Sequence, residues 1–246
     1  MITVVIPVSP IPSHPHTVIL EETLNSVRTC LPDAEIFLTF DGVRPEQAKR
    51  RADYEEFIRR TLWLADHHYG NVLPFIFDEH QHQTGMMRAA LDEIETPLVL
   101  YVEQDTPLVT DEPIDWKTIF SFVRSGNANV VRLHHEGVIP SDHNHLMHGH
   151  EEFLPFIRTS QWSQRPHIAS TAYYRRIMAS HFSTNARSFI EDKMYGVVDE
   201  AYNRDGLLGW AQHRIYVYDP GNGNMKRSYH TDGRAGEAKY DDRQTF

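Results

Sequence analysis

The stretch Leu98-Val99-Leu100-Tyr101-Val102-Glu103-Gln104-Asp105 constrains this chain more than any other, because an apolar run stops at two carboxylates one residue apart. A short apolar run that follows a turn signal, here Thr96-Pro97, is the pattern of a buried strand. If extension persists to its end, side chains two apart share a face, and Glu103 and Asp105 point the same way. Acidic groups at the carboxyl end of a strand in an open α/β sheet lie where such sheets bind ligands. Paired carboxylate oxygens there suit a hard divalent cation of the kind that carries phosphates. The same residues also read as a strand followed by a solvated acidic turn.

What precedes that run alternates between strand and helix patterns. Strands are predicted at Thr3–Val8, Glu35–Phe40 and Val72–Phe77, and helices at about Thr17–Thr29, Pro45–His68 and Gly85–Ile94. This order predicts a largely parallel, doubly wound sheet with right-handed crossovers. Beyond Asp105 the expected elements are helices at Thr118–Arg124, Thr171–Ser180 and Phe189–Asn203, strands at Ala128–Leu133 and Arg214–Tyr218, and a strand-like Phe153–Trp162. A loop rich in histidine separates them, and from Asp219 the Gly-rich, charged sequence reads as a mobile tail. No repeat or linker is visible, so 1–246 reads as one domain with two functional halves, 1–110 and 111–246.

Bulk properties narrow the classes. At 246 residues the chain can bury a sizeable core, and its formal net charge of -10 argues against sequence-independent binding to a nucleic-acid polymer. A single nucleotide is a different matter, since a metal can supply the positive charge. One cysteine, Cys30, excludes an internal disulfide framework and fits a reducing compartment. No apolar run approaches the roughly 18 residues of a membrane span, and the start lacks the basic region of a signal peptide. The expectation is a cytoplasmic protein without an integral membrane segment.

Three predicted strand ends fall on one edge of the sheet: Pro7-Val8-Ser9, Asp41-Gly42 and Glu103-Gln104-Asp105. An acidic residue after a strand, such as Asp41, can accept hydrogen bonds from a base or a ribose, and Asp-Gly alone also marks a plain turn. With these residues in view, the chain resembles the inverting glycosyltransferases of family 2, which have the GT-A, Rossmann-like fold. Their first strand ends in Ile-Pro ahead of a helix with Leu-x-x-x-Leu-x-Ser-Val; here Val5-Ile6-Pro7 precedes Leu20-Glu21-Glu22-Thr23-Leu24-Asn25-Ser26-Val27. Their Asp-Asp-Gly-Ser is reduced here to Phe40-Asp41-Gly42-Val43, and their Gly-x-x-x-Ala-x-Asn to Gly85-Met86-Met87-Arg88-Ala89-Ala90-Leu91. Their Asp-x-Asp is matched by Glu103-Gln104-Asp105. The resemblance covers roughly residues 2–110.

The resemblance implies a fold, a mixed but mostly parallel sheet flanked by helices, and a set of roles. Pro7, Val8, Ser9 and Asp41 would line the pocket for the nucleoside of a nucleotide-diphospho-sugar donor. Glu103, Gln104 and Asp105 would face the diphosphate and sugar, with Mn²⁺ or Mg²⁺ held chiefly by Asp105 and also by Glu103. Arg88, on the third helix, would add charge-assisted bonds to the diphosphate, against the plain reading of a surface arginine. In Ser188-Phe189-Ile190-Glu191-Asp192-Lys193 the family's Glu-Asp pair is matched by Glu191 and Asp192, and Asp192 would be the general base. Read alone, that pair is simply acid favoured at a helix N-terminus. A late histidine in Ser228-Tyr229-His230-Thr231-Asp232-Gly233 matches the GT-A histidine ligand, so His230 joins the metal set, with Lys226, Arg227 and Arg234 near enough in sequence to touch phosphate.

Two further features remain. His134, His135, His143, His145, His148 and His150 crowd one segment without the spacing of a zinc motif, which favours a partner-binding or acceptor-facing loop. Arg165-Pro166-His167-Ile168-Ala169-Ser170 resembles the stretch before an acceptor-contacting helix, so His167 is a candidate substrate contact as well as a structural histidine. The reading is a metal-dependent glycosyltransferase acting with inversion on an acceptor hydroxyl of a glycan, a protein side chain or a small molecule. The alternatives are a sugar-nucleotide nucleotidyltransferase, disfavoured because Ser9-Pro10-Ile11-Pro12-Ser13 is no Gly-rich phosphate loop, and an inactive nucleotide-sugar-binding module.

Overall fold

The structure, a computed structural model, describes residues 1–231. Its first half builds the expected alternation: β1 (Ile2–Val8), α1 (Val18–Cys30), β2 (Glu35–Phe40), α2 (Arg51–Leu64), β3 (Val72–Ile76), α3 (His82–Glu93) and β4 (Leu98–Tyr101). The second half adds α4 (Trp116–Arg124), β5 (Val130–Arg132), β6 (Met147–His150), β7 (Phe156–Thr159), β8 (His167–Ser170), α5 (Thr171–His181), α6 (Ile190–Asp205), α7 (Leu207–Trp210) and β9 (Ile215–Tyr218). The strands form a nine-stranded sheet in the order β3-β2-β1-β4-β8-β5-β9-β7-β6. β1 pairs in parallel with β2 and β4, β2 with β3, and β5 with β9, whereas β8 runs antiparallel between β4 and β5.

The apolar runs are continuous because both faces of this sheet are covered. Val4, Ile6 and Val8 of β1 alternate onto one face, where Ile36, Leu38 and Phe40 of β2 join Leu20, Leu24 and Val27 of α1. Val5, Phe37, Val99 and Tyr101 point to the other face and pack on Met87, Ala90 and Leu91 of α3 and on Tyr173, Tyr174 and Ile177 of α5. Each core rests on the period-2 alternation of the strand and the helical stripe facing it.

Three differences from the sequence reading have physical causes. The helix expected over Pro45–His68 begins as a 3-10 turn at Pro45–Arg50 and ends in a π turn at Ala65–Tyr69, closed by Gly70 at φ 58. β8 was not anticipated: His-Ile-Ala-Ser has little strand propensity, and its pairing with a strand on each side overrides that. The segment from Asp219, expected as a loose tail, is tied down as far as it is described. Asp219 N donates to Pro155 O, Met225 N to Gly137 O, Tyr229 N to Pro107 O and Thr231 N to Asp105 O. Residues 232–246, which include Arg234, lie outside the described residues.

Gly42 shows how tightly the edge of the sheet is drawn in. A methyl group there would overlap the Glu79 carbonyl carbon, and it would stand 2.5 Å from the Glu79 oxygen and 2.6 Å from His80 N. These are backbone atoms that cannot swing aside. Gly42→Ala should therefore destabilise the protein by about 1–3 kcal/mol in denaturant unfolding; an unchanged midpoint would show that the 79–80 backbone gives way freely.

Candidate active site

A cleft of about 340 Å³ opens at the carboxyl ends of β1, β2 and β4. Its lining includes Pro7, Ser9, Asp41, Glu103, Gln104, Asp105 and Glu191, so residues from all three predicted strand ends and from the later acidic pair meet in one place. This is the crevice position that an open parallel sheet reserves for ligands.

The acidic motif does not have the geometry that continued extension would give it. β4 ends at Tyr101, and residues 103–106 form a turn: Thr106 N donates to Glu103 O at 3.1 Å and Glu103 N donates to Thr106 Oγ1 at 3.0 Å. Glu103 and Asp105 both line the cleft but have different neighbours. Glu103 Oε1 accepts from Gln83 Nε2 at 2.8 Å, while the buried Asp105 carboxylate lies 3.9 Å from His230 Nδ1. The neighbouring Asp105 carbonyl accepts from both Thr231 N and Thr231 Oγ1, which carries His230 to the strand end. Gln104 fastens the motif from behind, with Nε2 donating to Ser9 O at 3.1 Å and its carbonyl accepting from Thr23 Oγ1 at 2.8 Å.

Asp41 is buried and already engaged. Its Oδ1 accepts from Gln81 N at 2.6 Å and His82 N at 3.2 Å, and His80 Nδ1 stands 2.7 Å from Oδ2. The carboxylate thus pulls the 80–82 backbone over the cleft, with His82 held at φ 57 where α3 starts. Burial, then Arg44 and His80, push the His82 pKa below its ordinary value.

Of the remaining predicted residues, Val8 and Arg88 do not reach the cleft. Val8 alternates into the core, and its carbonyl takes Asp41 N and Tyr54 OH. The Arg88 guanidinium is bound to the carbonyls of Met178, Phe182, Ser183 and Thr184, so it ties α3 to the loop after α5 rather than serving a diphosphate. Glu191 faces the cleft, and its Oε2 accepts from Gln164 N at 3.1 Å. Asp192 is exposed at the start of α6, outside the lining, close enough to His82 to oppose the lowering of its pKa. His167 is fully buried: Nδ1 lies 2.7 Å from Arg165 O and Nε2 lies 2.6 Å from Tyr174 OH. That makes it a neutral core residue that donates through Nδ1, not a substrate contact.

The lining residues missed from sequence are Pro10, Ile11, Arg44, His82, Gln83, Met86, Gln164 and Phe189. Met86 and Phe189 fall inside motifs quoted above for their neighbours, and His82 and Gln83 lie just before the helix expected from Gly85. Among the described residues no group of three or more His, Cys, Asp or Glu could hold a metal ion. The chain offers two ligand types at one point, the Asp105 carboxylate and the His230 imidazole. That is the sparse set a cation needs when phosphate oxygens complete its shell. Among the described residues no helix is long and apolar enough to cross a membrane.

No protein-family model matches the sequence, and no curated protein matches it by sequence. Solved structures do match. TarS of S. aureus, residues 1–349, superposes with a TM-score of 0.58 at 15% identity over 94% of this chain and 60% of that one. The same protein in complex with UDP-GlcNAc gives 0.58 at 16% identity, over 94% of this chain and 58% of that one. GalNAc-T7 with UDP, GalNAc and Mn²⁺ gives 0.58 at 10% identity, over 96% and 44%. The fold is that of the GT-A glycosyltransferases, and the chain spans less than two thirds of these neighbours' length.

Burial of histidine leaves a measurable acid sensitivity. Burial holds His14 at about 3 and His134, His167 and His213 at about 4, against 6.5 when unfolded. Each is a base with a lowered folded pKa, so its stabilising contribution is complete above pH 6.5 and is lost as pH falls toward 4. The loss is about 1.4 kcal/mol per pH unit per histidine. Unfolding free energy should fall steeply between pH 6.5 and 4.5, and less steeply in His167→Gln. Equal slopes for the two proteins would contradict a neutral, buried His167.

Proposed function

We propose that this chain is a glycosyltransferase that moves a sugar from a nucleotide-diphospho-sugar to an acceptor hydroxyl, with inversion and with the help of a divalent cation. The observation that carries the reading is the convergence of Asp41, Asp105 and Glu191 on one cleft at the carboxyl ends of β1, β2 and β4, with His230 3.9 Å from the Asp105 carboxylate. The GT-A fold supports the same donor class, and the UDP and UDP-GlcNAc bound by its structural neighbours favour uridine as the base.

The nucleoside would lie over Pro7, Ser9 and the 80–82 backbone that Asp41 holds in place. Asp105 and His230 would hold Mn²⁺ or Mg²⁺, which when bound offsets the charge that develops on the departing diphosphate. Glu103, fixed by Gln83, would face the sugar side of the cleft. Asp192 would take the proton of the attacking hydroxyl from its exposed place beside the cleft, with Glu191 as the residue that orients that helix start through Gln164. A single displacement at the anomeric carbon needs one base and inverts the centre. Arg88 has no part in this scheme.

Two variants separate these roles. With UDP-GlcNAc as donor and water standing in for the acceptor, UDP release should require Mn²⁺ or Mg²⁺. Asp105→Ala should weaken UDP binding in the presence of the metal. Asp192→Asn should leave UDP binding unchanged and lower turnover by about 10²–10⁴-fold. Full turnover by Asp192→Asn would remove it as the base, and absence of any nucleotide binding would remove the whole reading.

A further inference from the structure

The sheet edge that carries the cleft continues past β4, and the side chains along it change character. β5 runs in the same direction as β4, so its carboxyl end, Arg132 followed by His134 and His135, lies on the cleft edge. β8 is antiparallel, so its start brings Arg165 to that edge as well. Arg132 is almost wholly buried; its Nη1 donates to Gln161 O at 3.1 Å and to Gln161 Oε1 at 2.9 Å, and its Nε has no hydrogen-bond partner among the described residues. His134 is buried, with Nε2 3.2 Å from Val138 O, Nδ1 without a hydrogen-bond partner and its ring 5.1 Å from that of His135. His135 and Arg165 are partly exposed and give the group its access to solvent.

These groups act on one another. Burial comes first, and then Arg132 and Arg165 help to hold His134 at about 4 and His135 at about 3, while Arg132 itself is pushed down to about 10 despite the favourable charge of Glu191. The bordering carboxylates are Glu191 and Glu136, the latter 3.8 Å from His135 Nε2. In a chain of net charge -10, two guanidinium groups held against two imidazoles are a local exception. They do not suit a metal cation, because arginine does not deprotonate and repels one. They suit an oxyanion, which guanidinium groups bind through paired N–H donors and neutral imidazoles through a single N–H.

Position decides which oxyanion. Along the sheet the order is β2, β1, β4, β8, β5. The nucleoside is assigned above to the first two ends and the diphosphate to β4. The arginine and histidine wall begins one strand farther on and is centred two strands farther on, roughly 10 Å at the spacing of paired strands. That is the side away from the nucleoside, and the two regions adjoin through Glu191, whose charge acts on Arg132, and His230, whose charge acts on His135. We propose that Arg132, His134, His135 and Arg165 bind a phosphate or carboxylate group carried by the acceptor close to its attacking hydroxyl. The word acceptor rests on the donor reading above; the oxyanion site itself does not.

The test is an NMR chemical-shift titration with inorganic phosphate, and separately with acetate, on the protein alone and on the protein saturated with UDP and Mg²⁺. At least one probe should bind in both states, shifting His135 and Arg165, and the tighter of the two identifies the group. Arg165→Gln should weaken that binding tenfold or more while UDP affinity changes less than twofold, and His135→Ala serves as a second variant if the first does not fold. Binding of neither probe, or binding unaffected by both substitutions, would overturn the proposal. So would binding that UDP abolishes, since the wall would then belong to the donor diphosphate. If UDP itself does not bind, the donor reading fails, while the titration of the protein alone still decides whether the oxyanion site exists.

Discussion

The cleft depends on β1 being paired in parallel on both sides. Thr3–Val8 lie in register with Glu35–Phe40 on one flank, and Ile2–Val5 with Leu98–Tyr101 on the other. That double pairing fixes the ends of three strands against one another, and so places Ser9, Asp41 and Asp105 around one opening. It holds because both faces of the sheet bury apolar side chains, so slippage by one residue would exchange the two cores. The hydrogen bonds from Asp41 N to Val8 O and from Val102 N to Val5 O extend the ladder just past the strands.

The second half of the chain is fastened to that opening at two points. Gln83 is one: its Nε2 donates to Glu103 and its Oε1 accepts from Ile190 N, so one side chain joins the acidic turn to the first residue of α6. Thr84 and Arg88 strengthen the same junction through Ala186, Ser188 and the carbonyls after α5. The segment before Thr231 is the other. The buried Arg227 donates to Pro113 O and Asn224 O, and Tyr229 OH donates to Glu22 on α1 at 2.6 Å. A displacement at either point would reach Asp105 or the helix that carries Glu191 and Asp192.

What the sequence made legible follows from local periodicity. β2 was read with its observed bounds, and α1, α3 and β4 were readable because strands buried on both faces give apolar runs and helices give stripes. Long-range consequences were harder to read. The acidic motif sits in a turn closed by Thr106, which strand alternation does not predict. The resemblance places Val8 in the pocket with Pro7 and Ser9, whereas alternation turns it into the core. Arg88 and His167 are chemically suited to ligands, and only tertiary packing shows their groups bound to carbonyls and to Tyr174. Arg44 and Gln164 had no sequence signal at all. His230 entered through the family resemblance, and the structure sets it 3.9 Å from Asp105.

On the proposed function, a nucleoside diphosphate and its cation occupy the opening at the ends of β1, β2 and β4. Paramagnetic broadening by Mn²⁺ in the presence of UDP, followed residue by residue in NMR spectra, tests it most directly. UDP should shift Ser9, Gly42 and His82, and Mn²⁺ should then broaden Asp105 and His230 first. Broadening centred elsewhere, for example along the groove between α1 and Tyr229 that Glu21, Glu22 and Asn25 line, would contradict it.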